Sequence, residues 1–504
     1  MKKFTLILLL SNGFILYSQQ HLIQVNRKQN SPEEVSISIN PVIPGQVAAS
    51  SNIANYYYST NGGKTWREKT MESKHGIWGD PVVHFDSQGK LYYCHLGKNA
   101  EKKYPKWIDK IVVQRTSLNN DTCFEDNSIG FNQGKVQDKE WLSSNADGTL
   151  YMTWTEFDNY NSKKPEDHSR IRFSKSTNHG KTWNTPLVIS DTEGDCQDGD
   201  NTLEGATTCS DSKGNIYACW GGLNAIWLDK STDGGRSFGK DKIVANQDAG
   251  WDIPIRNLYR SNGMPFICCD AFGSKFKDRV YINWCDTRYG DADVFIKYSD
   301  DGGINWSQDI RINDDQIKNG VAQFSNNICI DASNGNLYVV FYDQRNSSSG
   351  AFIDVYLALS KNGGATWENH RITPSCFSTP GSKEFFGDYI DVDAVNGNVM
   401  PIFTIYENKT LAVYTCTFNS TPPKKTKLKN QLLAKIANDS LYLHVAVNKN
   451  ESYELLFYAN GRKLKYNGNK KENDYVINAR GFYNATVTLK VGMRRRTIHL
   501  INNN

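Results

Sequence analysis

The sequence contains no long apolar run. The run Leu6–Leu10 is too short to cross a bilayer, and no later window approaches about 20 apolar residues. Lys2 and Lys3 precede this run and polar residues follow it, so Met1 to Ser18 is predicted to be a signal peptide. No cysteine follows the run to carry a lipid. We therefore expect an exported protein without a transmembrane segment, either secreted, at the cell surface or in the periplasm.

Helical periodicity is also missing, which leaves an all-β chain as the expected fold class. The eleven cysteines do not form CxxC pairs, so neither a zinc site nor any other metal or cofactor is predicted. An exported chain can hold disulfides, and Cys196 and Cys209, which flank a loop rich in Gly and Asp, are the best candidate pair. The remaining connectivity stays open.

The sequence does contain an eight-residue pattern, Ser-x-Asp/Asn-x-Gly-x-Thr/Ser/Asn-Trp/Phe, in five clean copies and one degenerate copy. The clean copies begin at Ser59, Ser176, Ser231, Ser299 and Ser360, and the degenerate copy begins at Ser117. Successive copies start 55 to 68 residues apart, which suits one four-stranded sheet per repeat. The Asx and Gly residues favour a tight turn, and the aromatic residue begins the next strand.

This pattern closely resembles the Asp box, or BNR repeat, of sialidase-like β-propellers, and the resemblance covers residues 31–418. It implies an Asp-box β-propeller in which the boxes lie on the face away from the ligand. Exported proteins of this kind are often described as exo-alpha-sialidases by similarity. The boxes themselves are therefore predicted to be structural.

The number of blades follows from the strands between the boxes. Six boxes define six blades, and a seventh set of strands without a box lies within residues 388–418. Because an open propeller would expose a sheet edge, the strand His21–Val25 is predicted to complete the seventh blade and close the ring. A six-bladed ring with one set of strands outside it is the alternative.

The C-terminal part differs from the propeller in composition and charge. Residues 420–430 are predicted to be a linker between the propeller (19–419) and a small β-sandwich (431–504). Residues 421–504 hold 16 Lys/Arg against 5 Asp/Glu, a net charge of +11, which leaves −9 on the propeller once Lys2 and Lys3 are set aside. The end of the chain loosely resembles the sorting domain of type 9 secretion cargo, and a binding or purely structural module fits as well. We expect a secretion or cell-surface partner for this basic part, and no nucleic acid.

Loops can be sorted by face, because neighbouring strands of a blade run in opposite directions. Carboxylates, arginines and aromatic residues collect in the loops of one face, a mixture that suits a glycan site. The candidate substrate-binding residues are Arg256, Arg288, Arg345, Asp286, Asp343, Asp388, Trp154 and Trp251. For the Asp-x-Arg pairs, a structural ion pair is the alternative.

The resemblance to sialidases implies a tyrosine nucleophile, a glutamate that activates it, an aspartate acid/base and a triad of arginines. Tyr389, Glu204 and Asp80 match these catalytic residue types, and Arg256, Arg288 and Arg345 match the triad. The family's Arg-Ile-Pro motif is missing, and the corresponding stretch holds Glu34, which would repel a substrate carboxylate.

The leading hypothesis is an exported, glycan-active protein, with glycoside hydrolysis of the exo-glycosidase type as its reaction. A non-catalytic propeller that binds a glycan or a protein within a cell-surface complex is the first alternative. A propeller polysaccharide lyase, with His95 and Tyr389 as acid and base, is the second. The sequence does not identify the sugar.

Overall fold

The computed structural model divides into two compact units, Met1–Thr421 and Pro422–Asn504. In the first unit it describes residues 21–27, 32–43, 45–120, 123–130, 132, 134–347 and 349–419. In the second unit it describes residues 431–437, 440–446, 452–459, 462–468, 472–478, 484–491 and 494–501. The predicted signal peptide and the predicted linker lie outside these ranges. The described residues are all-β with no helix, so none of them forms a helix able to cross a membrane.

The described residues of the first unit form seven antiparallel sheets in chain order, preceded by the short strand β1 (Ile23–Gln24). Sheet 1 contains β2 (Ser36–Ile39), β3 (Val47–Ser51), β4 (Asn55–Ser59) and β5 (Arg67–Thr70). Sheet 2 contains β6 (Gly79–Phe85), β7 (Leu91–Leu96), β8 (Ile111–Thr116) and β9 (Cys123–Ile129). Sheet 3 contains β10 (Val136–Ser144), β11 (Leu150–Phe157), β12 (Ser169–Ser176) and β13 (Leu187–Val188).

The next four sheets repeat this order. Sheet 4 contains β14 (Glu204–Ser210), β15 (Ile216–Gly222), β16 (Ala225–Ser231) and β17 (Lys242–Asn246). Sheet 5 contains β18 (Phe266–Cys269), β19 (Val280–Asp286), β20 (Asp293–Ser299) and β21 (Ile310–Arg311). Sheet 6 contains β22 (Gln323–Ile330), β23 (Leu337–Asp343), β24 (Phe352–Ser360) and β25 (Glu368–Arg371), with β26 (Phe377–Ser378) paired to β24. Sheet 7 contains β27 (Asp391–Val395), β28 (Asn398–Glu407) and β29 (Thr410–Thr415), with β30 (Phe418–Asn419) paired to β28.

The N-terminal strand completes sheet 7, as the sequence predicted. Within β1, Ile23 pairs with Thr415 and Gln24 pairs with Tyr414 of β29. The backbone N–H of Val25 also donates to the Val413 carbonyl at 2.8 Å. The edge of β29 that would otherwise be exposed is therefore covered by residues from the other end of the unit.

The first strands of the seven sheets contact one another in sequence, and β27 of sheet 7 also contacts β2 of sheet 1. Two hydrogen bonds hold this last contact: the N–H groups of Ile37 and Ile39 donate to Asp391 Oδ2 (2.9 Å) and Asp393 Oδ2 (2.7 Å). Burial raises the pKa of the Asp391 carboxyl to about 7. Sheets 1 and 7 are thus joined by bonds between the two ends of the unit. Successive sheets bury large aromatic side chains, of which Trp154, Trp220 and Trp284 are fully buried.

In all five clean Asp boxes the serine hydroxyl donates to the Asx side chain and accepts the N–H of the glycine four residues on, and in the first and fifth boxes the Trp Nε1 also donates to that glycine's carbonyl. In the first box, the Ser59 hydroxyl accepts from the N–H of Gly63 (2.9 Å) and donates to Asn61 Oδ1 (2.9 Å), which also accepts from the N–H of Thr65 (3.0 Å). Trp66 Nε1 closes the turn by donating to the Gly63 carbonyl (2.9 Å). The residues of the box therefore satisfy each other's polar groups, which is a structural role.

None of the eleven cysteines forms a disulfide, so the predicted Cys196–Cys209 pair is wrong. Cys196 is buried in a hydrophobic cluster formed by sheets 2 and 3. Cys209 packs against a different cluster, formed by sheets 4 and 5. The two thiols flank one loop in the sequence, but the sheets place them in separate cores.

The second unit contains seven strands in two antiparallel sheets. The strands are β31 (Gln431–Ala437), β32 (Ser440–Ala446), β33 (Tyr453–Ala459), β34 (Arg462–Gly468), β35 (Glu472–Asn478), β36 (Asn484–Val491) and β37 (Arg494–Ile501). One sheet has the order β31-β32-β35 and the other has the order β34-β33-β36-β37. Val487 and Leu489 of β36 are buried, with Leu455 and Phe457 beside them on β33.

Candidate active site

The candidate site begins with bulges in the first strands of the sheets. The pairing of β6 with β7, of β10 with β11 and of β14 with β15 shifts register between Gly79 and Val82, between Asp138 and Trp141 and between Glu204 and Thr207. Asp80 and Lys139 lie within two of these bulges with φ of 52° and 50°, a left-handed conformation that is costly for residues with a Cβ. Glu34, just before β2, has a φ of 55°. Such strain at equivalent positions of successive sheets is typical of a functional site.

These bulges bring together a buried set of charges, the Lys139 cluster, formed by Glu34, Asp80, Lys139 and Asp388. Lys139 Nζ lies 3.2 Å from Glu34 Oε1, 3.0 Å from Asp80 Oδ2 and 2.8 Å from Asp388 Oδ2. All four residues are buried. Each comes from a different sheet or its entry, so the cluster exists only when sheets 1, 2, 3 and 7 are assembled.

One carboxylate of the cluster is held strongly ionised. Arg260 forms a bidentate pair with Asp388, in which Nε donates to Oδ1 at 3.0 Å and the second nitrogen donates to Oδ2. Asn262 Nδ2 also donates to Asp388 Oδ1 (3.1 Å). Burial opposes the ionisation of Asp388, but Arg260 and Lys139 outweigh it and hold its pKa below the ordinary value.

The other two carboxyls of the cluster are shifted in the opposite direction. Burial raises the pKa of Glu34 well above its ordinary value, and the neighbouring Asp80 raises it further. Burial also raises the pKa of Asp80, although Lys139 opposes that shift. The Lys139 ammonium group therefore does not offset the burial of these two carboxyls, whereas Asp388 has Arg260 as a second cation.

A more open set of side chains, the rim, adjoins the cluster and consists of Asp138, Tyr160, Asp198, Trp251 and Arg260. Asp198 accepts hydrogen bonds from Tyr160 OH, from Trp251 Nε1 (2.8 Å) and from Arg260 (3.0 Å). Asp138 is half-buried, the Asp198 side chain is 9% exposed and the Asp388 side chain is fully buried. The rim therefore presents the Asp138 carboxyl to a ligand, with the Asp198 carboxyl more deeply placed.

The Asp138 carboxyl carries a raised pKa. Burial raises it to about 6, and the Asp198 and Glu34 carboxyls contribute to the increase, while Lys139 opposes it. Asp138 Oδ1 accepts the N–H of Lys139 at 2.9 Å. No other hydrogen bond to Asp138 is found in the described part of the chain, so Oδ2 remains available for a ligand.

Glu204 and Tyr389, two of the predicted catalytic residues, lie behind the accessible surface. Both oxygens of Glu204 and the hydroxyl of Tyr389 are buried without hydrogen-bond partners, so Glu204 does not hydrogen-bond to Tyr389. Burial raises the pKa of Tyr389 well above its ordinary value, and the Asp80 carboxyl raises it further. The phenol is thus held neutral, opposite to the predicted activation. The third predicted catalytic residue, Asp80, is part of the Lys139 cluster.

Two of the three predicted triad arginines already pair with carboxylates of their own sheets. Arg288 is held by Asp286 (Nε to Oδ1, 2.9 Å) and also contacts Asp309. Arg345 is held by Asp343 (Nε to Oδ2, 2.7 Å). These two Asp-x-Arg pairs form ion pairs within sheets 5 and 6 and the loops beside them. The third predicted arginine, Arg256, is exposed in the connection between sheets 4 and 5.

The two predicted tryptophans have different surroundings. Trp154 is fully buried and its Nε1 donates to Gln137 Oε1 at 2.7 Å, so it does not present a surface for stacking. Trp251 contributes to the rim through Asp198. His95, the acid/base candidate for a lyase, is also fully buried, and burial lowers its pKa to about 4.

Sequence reasoning placed Asp80, Asp388 and Trp251 in this region but missed Lys139, Arg260, Asp138 and Asp198 as site residues. The sequence did contain a pattern that indicates these residues. Asp80, Lys139 and Asp388 each directly precede or lie within the first strand of a sheet, where charged residues recur along the chain. In the described residues no group of three or more His, Cys, Asp or Glu side chains is arranged to hold a metal ion.

The BNR/Asp-box repeat family matches residues 57–68 and 297–308. These segments coincide with the first and fourth clean copies of the pattern, so the predicted repeats are confirmed. The described residues of the first unit are all-β and carry Asp-box repeats. No curated protein matches this chain in sequence.

Several solved structures align with the chain at low identity. The α-L-arabinofuranosidase Arb93A from Fusarium graminearum is 12% identical, with 80% of this chain and 98% of that chain covered and a TM-score of 0.44. An α-L-arabinanase from Penicillium chrysogenum is 10% identical, with coverage of 80% and 98% and a TM-score of 0.41. The NanB sialidase from Streptococcus pneumoniae is 11% identical, with coverage of 74% and 83% and a TM-score of 0.40. All three scores lie below 0.5, and they support no inference about the reaction of this chain.

Proposed function

We propose that the first unit is a seven-bladed propeller closed by β1, and that it hydrolyses glycosidic bonds at the rim. The observation that carries this proposal is a pair of carboxyl groups with contrasting surroundings. The pKa of Asp138 is raised to about 6 and its Oδ2 has no partner among the described residues, whereas Asp198 accepts three hydrogen bonds from Tyr160, Trp251 and Arg260. A carboxylic acid with a raised pKa, near a second carboxyl group that can act as base or nucleophile, is what glycoside hydrolysis requires.

The residues of the rim take distinct roles in this proposal. Asp138 donates a proton to the oxygen of the leaving sugar. Asp198 acts as the second carboxyl group, either activating water or attacking the sugar. Arg260 fixes Asp198 on one side and Asp388 on the other, so the buried cluster sets the position of the reacting carboxylate. Trp251 holds the second oxygen of Asp198.

A sialidase-like exo-glycosidase mechanism would instead require Tyr389 as the nucleophile. The buried, unpartnered hydroxyl and its raised pKa do not support that role. Arg288 and Arg345 are also less suited to binding an anionic substrate, because each already pairs with a carboxylate of its own sheet. Tyr389→Phe therefore separates the two mechanisms.

A glycan-binding propeller without catalysis is the second candidate. It is favoured by the Lys139 cluster, where Arg260 and Lys139 already engage both oxygens of Asp388. Such a satisfied network can serve the assembly of the sheets alone. Under this proposal the rim would bind a sugar through Asp138 and Asp198 but would not turn it over.

The test is a turnover assay of the full chain against sialosides, uronic-acid polymers and neutral glycans. We expect Asp198→Asn to abolish turnover, and Tyr389→Phe to retain it, because the phenol is not the nucleophile. Asp191→Asn, which changes an exposed carboxylate paired with Lys240, is the matched control and should behave as wild type. Binding without turnover on every glycan would favour the second candidate. Loss of turnover in Tyr389→Phe would restore the sialidase-like mechanism.

We also propose that the protein is exported and that the basic second unit contacts secretion machinery or a cell-surface partner. The charged start, apolar run and polar end of residues 1–18 support export, and the net charge of +11 supports the partner. N-terminal sequencing of the protein recovered outside the cytoplasm should begin near Gln19. A product that begins at Met1 in the cytoplasm would overturn export.

A further inference from the structure

A cluster of aromatic side chains, here the Tyr104 platform, consists of Trp78, Tyr104, Trp107 and Tyr160, of which only Tyr160 also belongs to the rim. Trp78 precedes β6, Tyr104 and Trp107 lie in the connection from β7 to β8, and Tyr160 lies in the connection from β11 to β12. The Tyr104 ring contacts the other three, with centroid distances of 5.8 Å to Trp78, 5.6 Å to Trp107 and 6.5 Å to Tyr160. Sheets 2 and 3 therefore build the platform together.

Tyr104 is 51% exposed, and aromatic rings contact it on several sides. These contacts hold part of the ring in place while the rest faces water. A fixed and exposed aromatic face is what the C–H surface of a sugar ring stacks against.

The platform adjoins the rim. Tyr160 belongs to both, since its hydroxyl donates to Asp198 while its ring contacts Tyr104. Burial raises the pKa of the Tyr104 hydroxyl, and the Asp138 and Asp198 carboxyls add to that shift. A glycan that reaches the rim would therefore extend over Tyr104.

A lysine adds charge to the platform. Lys98 Nζ lies 5.1 Å from the Trp78 ring centroid and 4.9 Å from that of Trp107. The neighbouring Lys102 and Lys110 pair with Asp109 at 2.8 and 3.6 Å, whereas Lys98 has no carboxylate partner among the described residues. The rings thus fix a cation whose charge is not neutralised by the protein.

We infer that Tyr104 is the stacking platform of a subsite for an anionic sugar, with the sugar's carboxylate or sulfate at Lys98 and the rest of the glycan directed to the rim. This inference rests on the proposed function for the direction in which the glycan runs, but the stacking and the anion contact are independent of catalysis. Uronic acids and sulfated sugars share the required charge.

The test is affinity electrophoresis of the full chain through gels that contain polygalacturonate, κ-carrageenan or neutral laminarin. We expect retardation by polygalacturonate if the anion is a carboxylate, by carrageenan if it is a sulfate ester, and weaker retardation by laminarin. Tyr104→Ala should raise the Kd about tenfold, while Tyr104→Phe should keep it, because the ring face and not the hydroxyl makes the contact. Lys98→Ala should weaken binding of the anionic polymer only.

Phe272→Ala is the matched control, since Phe272 is 54% exposed in the β18–β19 turn and has no place on the platform. It should bind as wild type. Equal binding by wild type and a folded Tyr104→Ala, preference for laminarin, or no binding to any of the three polymers would overturn the inference. Binding that depends on Tyr104 without any turnover would sustain the subsite and overturn hydrolysis. Turnover with an unchanged KM in Tyr104→Ala would sustain hydrolysis and overturn the subsite.

Discussion

Asp138→Asn is expected to lower kcat by roughly 10²- to 10⁴-fold on glycans whose leaving group is another sugar. A sugar alkoxide leaves poorly, so the reaction needs a proton from Asp138, and asparagine cannot provide one. The wild-type rate should fall as the pH rises through about 6, because the acid must be protonated and burial holds its pKa at that value. The pH–rate profiles of the wild type and the variant check this.

An activated substrate gives the sharper measurement. An aryl glycoside with an acidic phenol as leaving group needs little protonation, so Asp138→Asn should lose far less activity on it and should lose the alkaline limb of the profile. Asp198→Asn should be inactive on both substrates, since the base or nucleophile is needed whatever the leaving group. Equal losses of Asp138→Asn on both substrates would show that Asp138 is not the proton donor.

The Asp boxes were predictable because the hydrogen bonds that form them join residues close together in the sequence. Ser59, Asn61, Gly63 and Thr65 bond to one another within one turn, so the residue types in a short window determine the structure. The N-terminal closure was also predictable, because a missing strand in the last sheet requires a partner from elsewhere.

The site could not be predicted in the same way, because its contacts join distant parts of the chain. Glu34, Lys139 and Asp388 meet through the order of the sheets, and no local pattern reveals that Lys139 adopts a left-handed φ that turns it toward them. Conversely, Asp286 and Arg288 were predicted as ligand groups from their types, but two residues apart at a strand end they pair with each other. Residue type alone does not distinguish a charge that is already satisfied from one that is available.

The same long-range assembly gives the largest expected effect on stability. Lys139→Met should lower the free energy of unfolding by about 3 to 5 kcal/mol, because methionine fills a similar volume but leaves buried carboxylates without their ammonium partner. Methionine also has a Cβ, so the left-handed backbone is no less strained than before. Denaturant unfolding of both proteins measures the difference, and Lys240→Met, which changes an exposed lysine paired with Asp191, should leave the midpoint unchanged.

The pH dependence of the stability loss in Lys139→Met shows whether the lysine stabilises the fold through its charge or through its packing. In the wild type, the pKa of Asp388 is lower in the folded protein than in the unfolded protein. The ionised Asp388 therefore stabilises the fold above the unfolded pKa, and this stabilisation is lost only as the pH falls through the folded pKa. In Lys139→Met the pKa values of Glu34, Asp80 and Asp388 should rise, so their protonation on acidification relieves the repulsion. The stability difference from wild type should therefore shrink between about pH 8 and pH 5. A difference of the same size at both pH values would show that the lost packing of the lysine side chain, and not its charge, holds sheets 1, 2, 3 and 7 together.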